Sequence, residues 1–371
     1  MNVTEYFKHK NLFGGLFLPA RRGVSDCFAA RLIGRGLVAC AAVLLVSACD
    51  SGAIDDEIRP ATVAGTTFPN TEGERHWLSF RDSLNASSNG QLPLRLLIYG
   101  QLGSEDQLVS GLRRGRVQFA NLSAMAVSTV VPEMALLYAP FLFDNQDEAD
   151  YVYDNLLTDL YRELLAEKGL RLVSWYEIGF LDVYGKEPVL LPADAAGRRF
   201  RVGSGPAARL FAKSLDADVI PLGFSDVVSS LQTGLIEAGE NAVSLYARTG
   251  IAGEAPHLTL TDHSFGVSAI VASKSWWDGL APGQQAMVTD AWPAIEQTRA
   301  VVRAESASDL QDESLGIVVH ALTPEQRAQW RAATAGVTEQ LIAKIGGRSR
   351  EVYERIQATR ADFQKVGQLK D

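Results

Sequence analysis

The sequence predicts an α/β protein with two lobes, a ligand cleft between them and a long helical C-terminal part. Two sets of alternating strands and helices carry this prediction, one beginning near residue 62 and the other near Leu170. Such alternation is typical of mainly parallel sheets flanked by the helices that connect their strands. After Ser268–Ala272 the pattern is mostly helical. We expect lobe I to comprise residues 62–178 plus about 267–306, and lobe II residues 179–266 plus about 307–371.

Residues 1–48 have the layout of a signal peptide and are left out of the fold prediction. An apolar run, Gly36–Ala48, follows Arg31 and Arg35 and is too short to span a bilayer. It leads into Cys49 through the letters Leu-Leu-Val-Ser-Ala, an arrangement that resembles the lipobox of bacterial lipoproteins. The alternatives are an ordinary signal peptide with an unrelated cysteine, or a buried helix. We predict that Cys49 is lipidated and anchors the protein to a membrane.

The residues after Cys49 predict an acidic tether, 49–61, followed by a body without disulfides. The other two cysteines, Cys27 and Cys40, lie in the signal segment. The chain has a formal net charge of −9, which argues against nucleic acid as a partner. No later stretch approaches 18 apolar residues, so we expect no second membrane segment.

The first set of elements alternates strand and helix from residue 62 to residue 122. Gly73–Leu84 has apolar residues at helical spacing, and Leu94–Tyr99 has one wholly apolar face. Ser104 is placed to cap the helix that follows it. The predicted elements are the strand Thr62–Thr66, the helix Gly73–Leu84, the strand Leu94–Tyr99, the helix Glu105–Arg114 and the strand Val117–Leu122.

The second set repeats this order and ends in helices. Pro206 favours a helix start, because the missing N–H of proline needs no partner in the first turn, and Gly234 favours a helix end. The predicted strands are Leu172–Trp175, Leu181–Tyr184, Arg199–Val202 and Val219–Pro221. The predicted helices are Pro206–Leu215, Phe224–Thr233, Pro282–Asp309, Pro324–Ile345 and Arg350–Phe363.

Catalytic signatures are scarce, so we predict no catalytic residue and no metal site. The four histidines outside the signal segment have no metal-ligand spacing, and there is no GxSxG motif. Asp262-His263-Ser264 contains the residue types of a hydrolytic triad. Triads are assembled in space from distant residues, so we interpret this tripeptide as a turn or helix cap.

Gly203–Ala208 is the strongest enzyme-like signal, because it matches GxGxxA between a strand and a helix. It keeps open the alternative of a nucleotide-dependent oxidoreductase. The acidic residue expected about 20 positions later is absent from the end of the next strand, where Leu222 and Gly223 stand. We therefore interpret the loop as a turn that starts a helix, whose N-terminus favours anions.

Three blocks of residues stand in a specific order and spacing. The first block is Gly100–Gly103 with Gly115 and Pro140–Phe143, the second is Gly197–Val202, and the third is Phe224–Asp226 with Leu231–Gly234 and Gly239–Asn241. Taken in order, these blocks resemble the solute-binding receptors of TRAP (tripartite ATP-independent periplasmic) transporters of the DctP type. The resemblance covers roughly residues 62–345.

The resemblance implies a periplasmic-binding-protein-like fold and a receptor, not an enzyme, that needs no cofactor. It would capture a small organic acid by lobe closure and deliver it to an inner-membrane permease. By the family's pattern, Arg201 pairs with the ligand carboxylate, Asn241 donates to it and Phe224 packs on the ligand, with Glu240 beside them. Without the resemblance, each has a structural alternative: a solvated arginine, a turn asparagine or a core phenylalanine.

The chain also departs from the family's pattern. Many members carry a second arginine about 20 positions before the first, where this chain has Leu181. Gly239 and Ala242 replace the family's glutamine and proline beside Glu240 and Asn241. The loss of one cation favours a monocarboxylate or a ligand with an apolar body. We expect a periplasmic protein anchored to the inner membrane, with a ligand sensor that serves no permease as the alternative.

Overall fold

The structure is a computed structural model that describes residues 59–368. The predicted signal peptide, Cys49 and most of the tether lie outside the described residues. Nine strands form one sheet: β1 Ala61–Ala64, β2 Leu94–Leu97, β3 Phe119–Ser123, β4 Leu170–Gly185, β5 Arg199–Val202, β6 Asp218–Pro221, β7 Ala238–Ala242, β8 His257–Ser273 and β9 Val318–Ala321.

Helices cover both faces of this sheet and form most of the C-terminal part. None of the described helices is long and apolar enough to cross a membrane. The described helices are α1 Glu72–Ser87, α2 Glu105–Arg113, α3 Ala124–Val127, α4 Gln146–Val152, α5 Thr158–Glu167, α6 Pro206–Ser214, α7 Val227–Gln232, α8 Val243–Arg248, α9 Ile251–Glu254, α10 Lys274–Asp278, α11 Pro282–Ala291, α12 Ile295–Gln311, α13 Pro324–Thr334, α14 Val337–Ile345 and α15 Ser349–Gln368.

The sheet has a parallel group of strands at each end and two long antiparallel strands between them. The order is β2-β1-β3-β8-β4-β7-β5-β6, with β9 paired to β8. β1 is parallel to β2 and β3, and β5 is parallel to β6 and β7. The two parallel groups are the sheets of two lobes, and β4 and β8 run through both.

Each end of the sheet has its own aromatic core. Trp77, Phe80 and Trp292 pack on Phe119 and the strands beside it. Phe200, Phe211 and Trp330 pack at the other end. Two separate cores fit the two-lobed α/β architecture that the sequence predicted. The residue-by-residue division between the lobes stays a prediction.

β4 is one strand of 16 residues, so the prediction of two strands, Leu172–Trp175 and Leu181–Tyr184, was wrong. The pairing of β4 with β8 shifts register between Glu177 and Gly179, where Gly179 has a φ of +102°. Only glycine adopts this backbone readily, and such a bulge resets which residues face the core. The apolar pattern is therefore interrupted although the strand continues.

Local chain breaks also divide two of the predicted helices. Pro282–Asp309 is α11 and α12, because Trp292 precedes a proline and takes an extended ψ of 134°. Pro324–Ile345 is α13 and α14, which are separated near Gly336. Phe224–Thr233 opens with a 3-10 turn, Phe224–Asp226, before α7.

Candidate ligand-binding site

A cavity of about 930 Å³ lies between the two parallel strand groups. Its walls come from segments that follow β1, β2 and β3 on one side and β5, β6 and β7 on the other. Open α/β sheets place their ligands at the carboxyl ends of strands, where the loops of several strands meet. All four predicted site residues, Arg201, Phe224, Glu240 and Asn241, line this cavity.

Arg201 reaches the cavity because β5 alternates its side chains between two faces. Phe200 and Val202 are buried in the core, and Arg201 between them is half-buried. Its Nη2 donates to the carbonyl of Leu222 at 3.1 Å, whereas its Nε is buried and has no partner in the described chain. Among residues 59–368 no carboxylate lies within ion-pair distance of Arg201. The guanidinium is therefore a charged donor available to an anion.

Phe224 lies beside this guanidinium and also meets the opposite wall. The carbon of the Arg201 guanidinium is 6.0 Å from the centroid of the Phe224 ring. Phe68, which follows β1, packs edge-to-face on Phe224 with ring centroids 5.4 Å apart. The sequence did not predict Phe68, since its role depends on how two distant loops meet across the cavity.

Asn241 and Glu240 are buried neighbours on β7 with different partners. The Oδ1 of Asn241 accepts a hydrogen bond from the Ala242 amide at 2.9 Å, and its Nδ2 donates to no other described residue. This leaves the amide free to donate to a ligand. The Oε2 of Glu240 lies 2.8 Å from the Nε2 of His263.

His263 lies within β8, so the prediction of a turn or cap at Asp262-His263-Ser264 was wrong. Its Nδ1 is 2.8 Å from the Oγ1 of Thr261, and its ring stacks on Phe211 at 3.9 Å between centroids. Asp262 instead pairs with Arg327, and the Ser264 hydroxyl is buried with no partner in the part of the chain that the structure describes. The three side chains of the tripeptide point to separate places, so they do not form a triad with one another.

The Gly203–Ala208 loop is used for close packing against α3. A Cβ added to Gly203 would lie 2.7 Å from the Sδ of Met125, and one on Gly205 would lie 2.4 Å from its Cγ. In a dinucleotide site the glycines leave this space for a pyrophosphate. Here Met125 occupies it, which counts against the oxidoreductase alternative.

The wall at β4 places an apolar side chain where the family resemblance led us to expect a cation. Leu181, the residue at that position of the sequence, is 5% exposed and lines the cavity. Of the other arginines in the walls, Arg248 is engaged by Asp309 and Glu305, and Arg209 is exposed. Arg201 is the only half-buried arginine without an acidic partner among the described residues that line the cavity.

Glu105 is a cavity residue that sequence reasoning missed. It begins α2, and its two carboxylate oxygens each accept one hydrogen bond from Ser123, from the amide and from the hydroxyl, both at 2.7 Å. Burial raises the pKa of Glu105, and the charge of Arg201 opposes this rise. No sequence signal marked this role, because a glutamate in a first helical turn is ordinary.

The two lobes, the cavity between them and the unpaired arginine define a solute-binding protein. The family "bacterial extracellular solute-binding protein, family 7", DctP, matches residues 64–345. The chain belongs to this family, which confirms the predicted resemblance.

Curated relatives are similar over most of their length. The chain is 26% identical to the ectoine-binding periplasmic protein TeaA of Halomonas elongata, over 73% of this chain and 81% of the relative. It is 29% identical to the 2,3-diketo-L-gulonate-binding periplasmic protein YiaO of Escherichia coli, over 71% and 81%. The names of these relatives describe binding and a periplasmic location, which points away from an enzyme.

Solved structures agree with this assignment. A TRAP periplasmic solute-binding protein from Sulfurospirillum deleyianum with bound succinate is 26% identical, with a TM-score of 0.72 over 81% of this chain and 98% of that one. The sugar acid binding protein of Advenella mimigardefordensis in complex with galactonate is 25% identical, with a TM-score of 0.74 over the same shares. The predicted two-lobed periplasmic-binding fold is confirmed.

Proposed function

We propose that this protein is the receptor of a TRAP-type transporter and that it captures a small organic acid between its lobes. The observation that carries the proposal is the half-buried guanidinium of Arg201, which faces the cavity without an acidic partner among the described residues. A buried charge of this kind is costly unless an opposite charge meets it. The names of relatives that bind succinate, galactonate and ectoine support the same class of ligand.

In the proposed complex the ligand carboxylate lies against Arg201 and Asn241. A guanidinium presents two parallel N–H donors that match the two oxygens of a carboxylate, and the free Nδ2 of Asn241 adds a third. Phe224 covers the ligand from one wall and Phe68 packs on Phe224 from the other. A ligand that contacts both walls binds the closed form of the protein more tightly than the open form. Only such a difference in affinity drives closure.

Leu181 gives the proposed ligand an apolar neighbour. The Leu181 side chain is buried in the cavity wall. A cation at this place would favour a ligand with a second carboxylate, and leucine does not. Together with Phe68 and Phe224 it offers carbon surface to the part of the ligand beyond the carboxylate. We therefore propose a ligand with a single carboxylate at the Arg201 end.

The test is to measure ligand affinity by calorimetry for variants of Arg201, after a thermal-shift screen of organic acids has found a ligand. Ligand bound to the native state raises the melting temperature by mass action, so the screen can be run before the solute is identified. Arg201→Ala should weaken binding by at least about thirtyfold, since losing one partner of a buried charge pair costs roughly 2–5 kcal/mol. Arg201→Lys should recover only part of this loss, because a lysine cannot bind both oxygens at once.

Arg199→Ala is the matched control. Arg199 lies two residues earlier on β5 and pairs with Glu237 outside the cavity. Its loss removes the same charge from the same strand and should leave affinity within about twofold, as exposed pairs contribute little. Equal affinity of wild type and Arg201→Ala for the ligand would refute the carboxylate site.

We further propose that lipid on Cys49 holds the receptor at the inner membrane, where it delivers its ligand to a TRAP permease. The support is the lipobox-like sequence before Cys49 and the family membership of the chain. A tether raises the effective concentration of the receptor near a permease. Cells fed an alkyne-bearing fatty acid should label the wild-type protein and leave Cys49→Ser unlabelled. An unlabelled wild-type protein that is processed normally would contradict the anchor.

A further inference from the structure

Seven carboxyl groups line the cavity, and six of them are accounted for. Asp106 and Asp226 are exposed at the rim. The other four each have a nitrogen partner: Glu72 pairs with Arg75, Glu177 with Arg303, Glu240 with His263, and Glu305 with Arg75 and Arg248. Glu105 is the exception, because it accepts hydrogen bonds only from Ser123 among the described residues.

The hydrogen bonds of Glu105 leave it able to accept more. Each of its oxygens receives one bond from Ser123, and a carboxylate oxygen has a second lone pair. The Ser123 hydroxyl in turn accepts from the amide of Ala126 at 3.1 Å, so the arrangement is fixed by the start of α3. Glu105 is thus held in place as an acceptor in the wall of the cavity.

A second unused acceptor lies on the same strand face as Ser123. Asn121 is two residues earlier on β3, and alternation along a strand places both residues on one side. The Oδ1 of Asn121 is buried and has no hydrogen-bond partner among the described residues, and Asn121 lines the cavity. A buried acceptor without a donor is costly, and a ligand that supplies the donor removes this cost.

We infer that Glu105 and Asn121 form a cation subsite, so that the ligand is a zwitterion whose protonated nitrogen meets Glu105 while its carboxylate meets Arg201. This inference rests on the proposed function and specifies the other end of the ligand. A simple carboxylate would neutralise Arg201 and leave the half-buried Glu105 carboxylate without a cation. A protonated nitrogen supplies both the charge for Glu105 and an N–H donor for Asn121. Burial raises the pKa of Glu105, as expected for a desolvated carboxyl without a cationic hydrogen-bond partner in the described chain.

The experiment compares ligands that differ only at the end opposite the carboxylate. Calorimetry with the purified protein would use 5-aminopentanoate, 5-hydroxypentanoate, pentanoate and glutarate, with the corresponding four- and six-carbon series to vary the reach. At the chain length that fits best, the amino acid should bind about tenfold more tightly than each of the other three, which corresponds to one desolvated charge pair. Glutarate or the hydroxy acid binding as tightly as the amino acid would overturn the cation subsite.

Variants identify the residue responsible. In Glu105→Gln the ratio of affinities for the amino acid and for pentanoate should fall to about one, because the amide retains an acceptor and loses the charge. Glu313→Gln, the same change at an exposed residue outside the cavity, should keep the wild-type ratio. An unchanged ratio in Glu105→Gln, with an unchanged melting temperature to show that it is folded, would overturn the assignment.

Asn121→Asp provides a second variant that does not depend on Glu105→Gln being folded. It adds a second carboxylate to the cavity wall, two residues before the Ser123 that binds Glu105, with almost no change in shape, so the preference for the amino acid should increase. A decrease would overturn the inference.

The proposed function and the cation subsite would be refuted by different results. If carboxylates bind through Arg201 and glutarate is preferred, only the cation subsite is refuted, whereas if no carboxylate of any series binds, the organic-acid function is refuted with it.

Discussion

Leu181 is an apolar residue in the wall of the cavity that Arg201 also lines. The family's pattern predicts a second arginine at this position, so the substitution of Leu181 by arginine tests how the cavity selects its ligand. Leu181→Arg should shift preference toward dicarboxylates by about tenfold or more, because a second carboxylate gains a desolvated partner. Calorimetry with glutarate and pentanoate measures this shift.

The same substitution should cost stability when no ligand is bound. A buried arginine without a partner destabilises the folded state by several kcal/mol, on the order of the 3–5 kcal/mol of a broken buried pair. Glutarate should therefore raise the melting temperature of Leu181→Arg more than that of the wild type. Leu181→Met is the control, since it preserves volume and adds no charge. If pentanoate and glutarate keep their wild-type order in Leu181→Arg, Leu181 does not occupy the place of the second arginine.

At the scale of elements, the contact between α3 and the loop before α6 joins the two sides of the cavity. Gly205→Ala places a methyl group 2.4 Å from the Cγ of Met125, so one side must move. Overpacking of this kind costs roughly 1–3 kcal/mol, and under the proposed lobe closure this cost falls on the closed state, in which the two sides touch. We expect ligand affinity to fall by about tenfold, with little effect on the melting temperature of the empty protein.

A double-mutant cycle tests this mechanism. Met125→Ala removes the obstacle, so Met125→Ala combined with Gly205→Ala should bind ligand about as well as Met125→Ala alone. Gly283→Ala is the control, because a Cβ there meets no described atom within 4 Å. Additive losses in the double variant would mean that Gly205 acts through its own backbone and not through Met125.

Some elements with strong local signals were predicted well, whereas short strands that depend on distant pairing were not. β5 and the start of α6 follow from an alternating strand and a proline at a helix start, and both lie where they were predicted. β7 and β9 escaped prediction because short strands owe their existence to their neighbours in the sheet. The bulge at Gly179 joins two predicted strands into β4, and no local pattern marks a bulge as a continuation.

Some residues of the candidate site were predicted from the sequence, but the contacts between them and distant residues were not. Arg201, Phe224, Glu240 and Asn241 were found through the order of family blocks, and the structure brings them to one cavity. The contacts that link them to the rest of the molecule join residues from separate lobes or strands. Examples are the contacts of Phe68 with Phe224, of His263 with Glu240 and of Ser123 with Glu105. The periodicity of a single segment cannot predict contacts of this kind.

At the scale of the whole molecule, Glu305 on α12 links α1 and α8, which lie in different lobes by the predicted division. It accepts from Arg75 of α1 on one side and from Arg248 of α8 on the other. Glu305→Gln should weaken ligand binding by about two- to fivefold, because these half-exposed pairs are partly screened by solvent and contribute at most about 1 kcal/mol. Added salt should weaken binding in the wild type more than in this variant.

Calorimetry in low and high salt measures both effects. Glu339→Gln is a suitable control, since it breaks an exposed pair with Arg350 that lies outside the cavity. An identical salt dependence in wild type and Glu305→Gln would show that this bridge does not take part in closure.

The position of β8 in the sheet has a consequence for how the chain folds. β8 pairs with β3 and β4, whose residues 119–123 and 170–185 come long before His257–Ser273 in the chain. The central sheet is therefore incomplete until residue 273 is available. Proteins dominated by such distant pairings fold slowly, on the order of milliseconds to seconds. Slow folding leaves a newly made chain unfolded for longer. A chain in this state can be threaded through a membrane before its core forms.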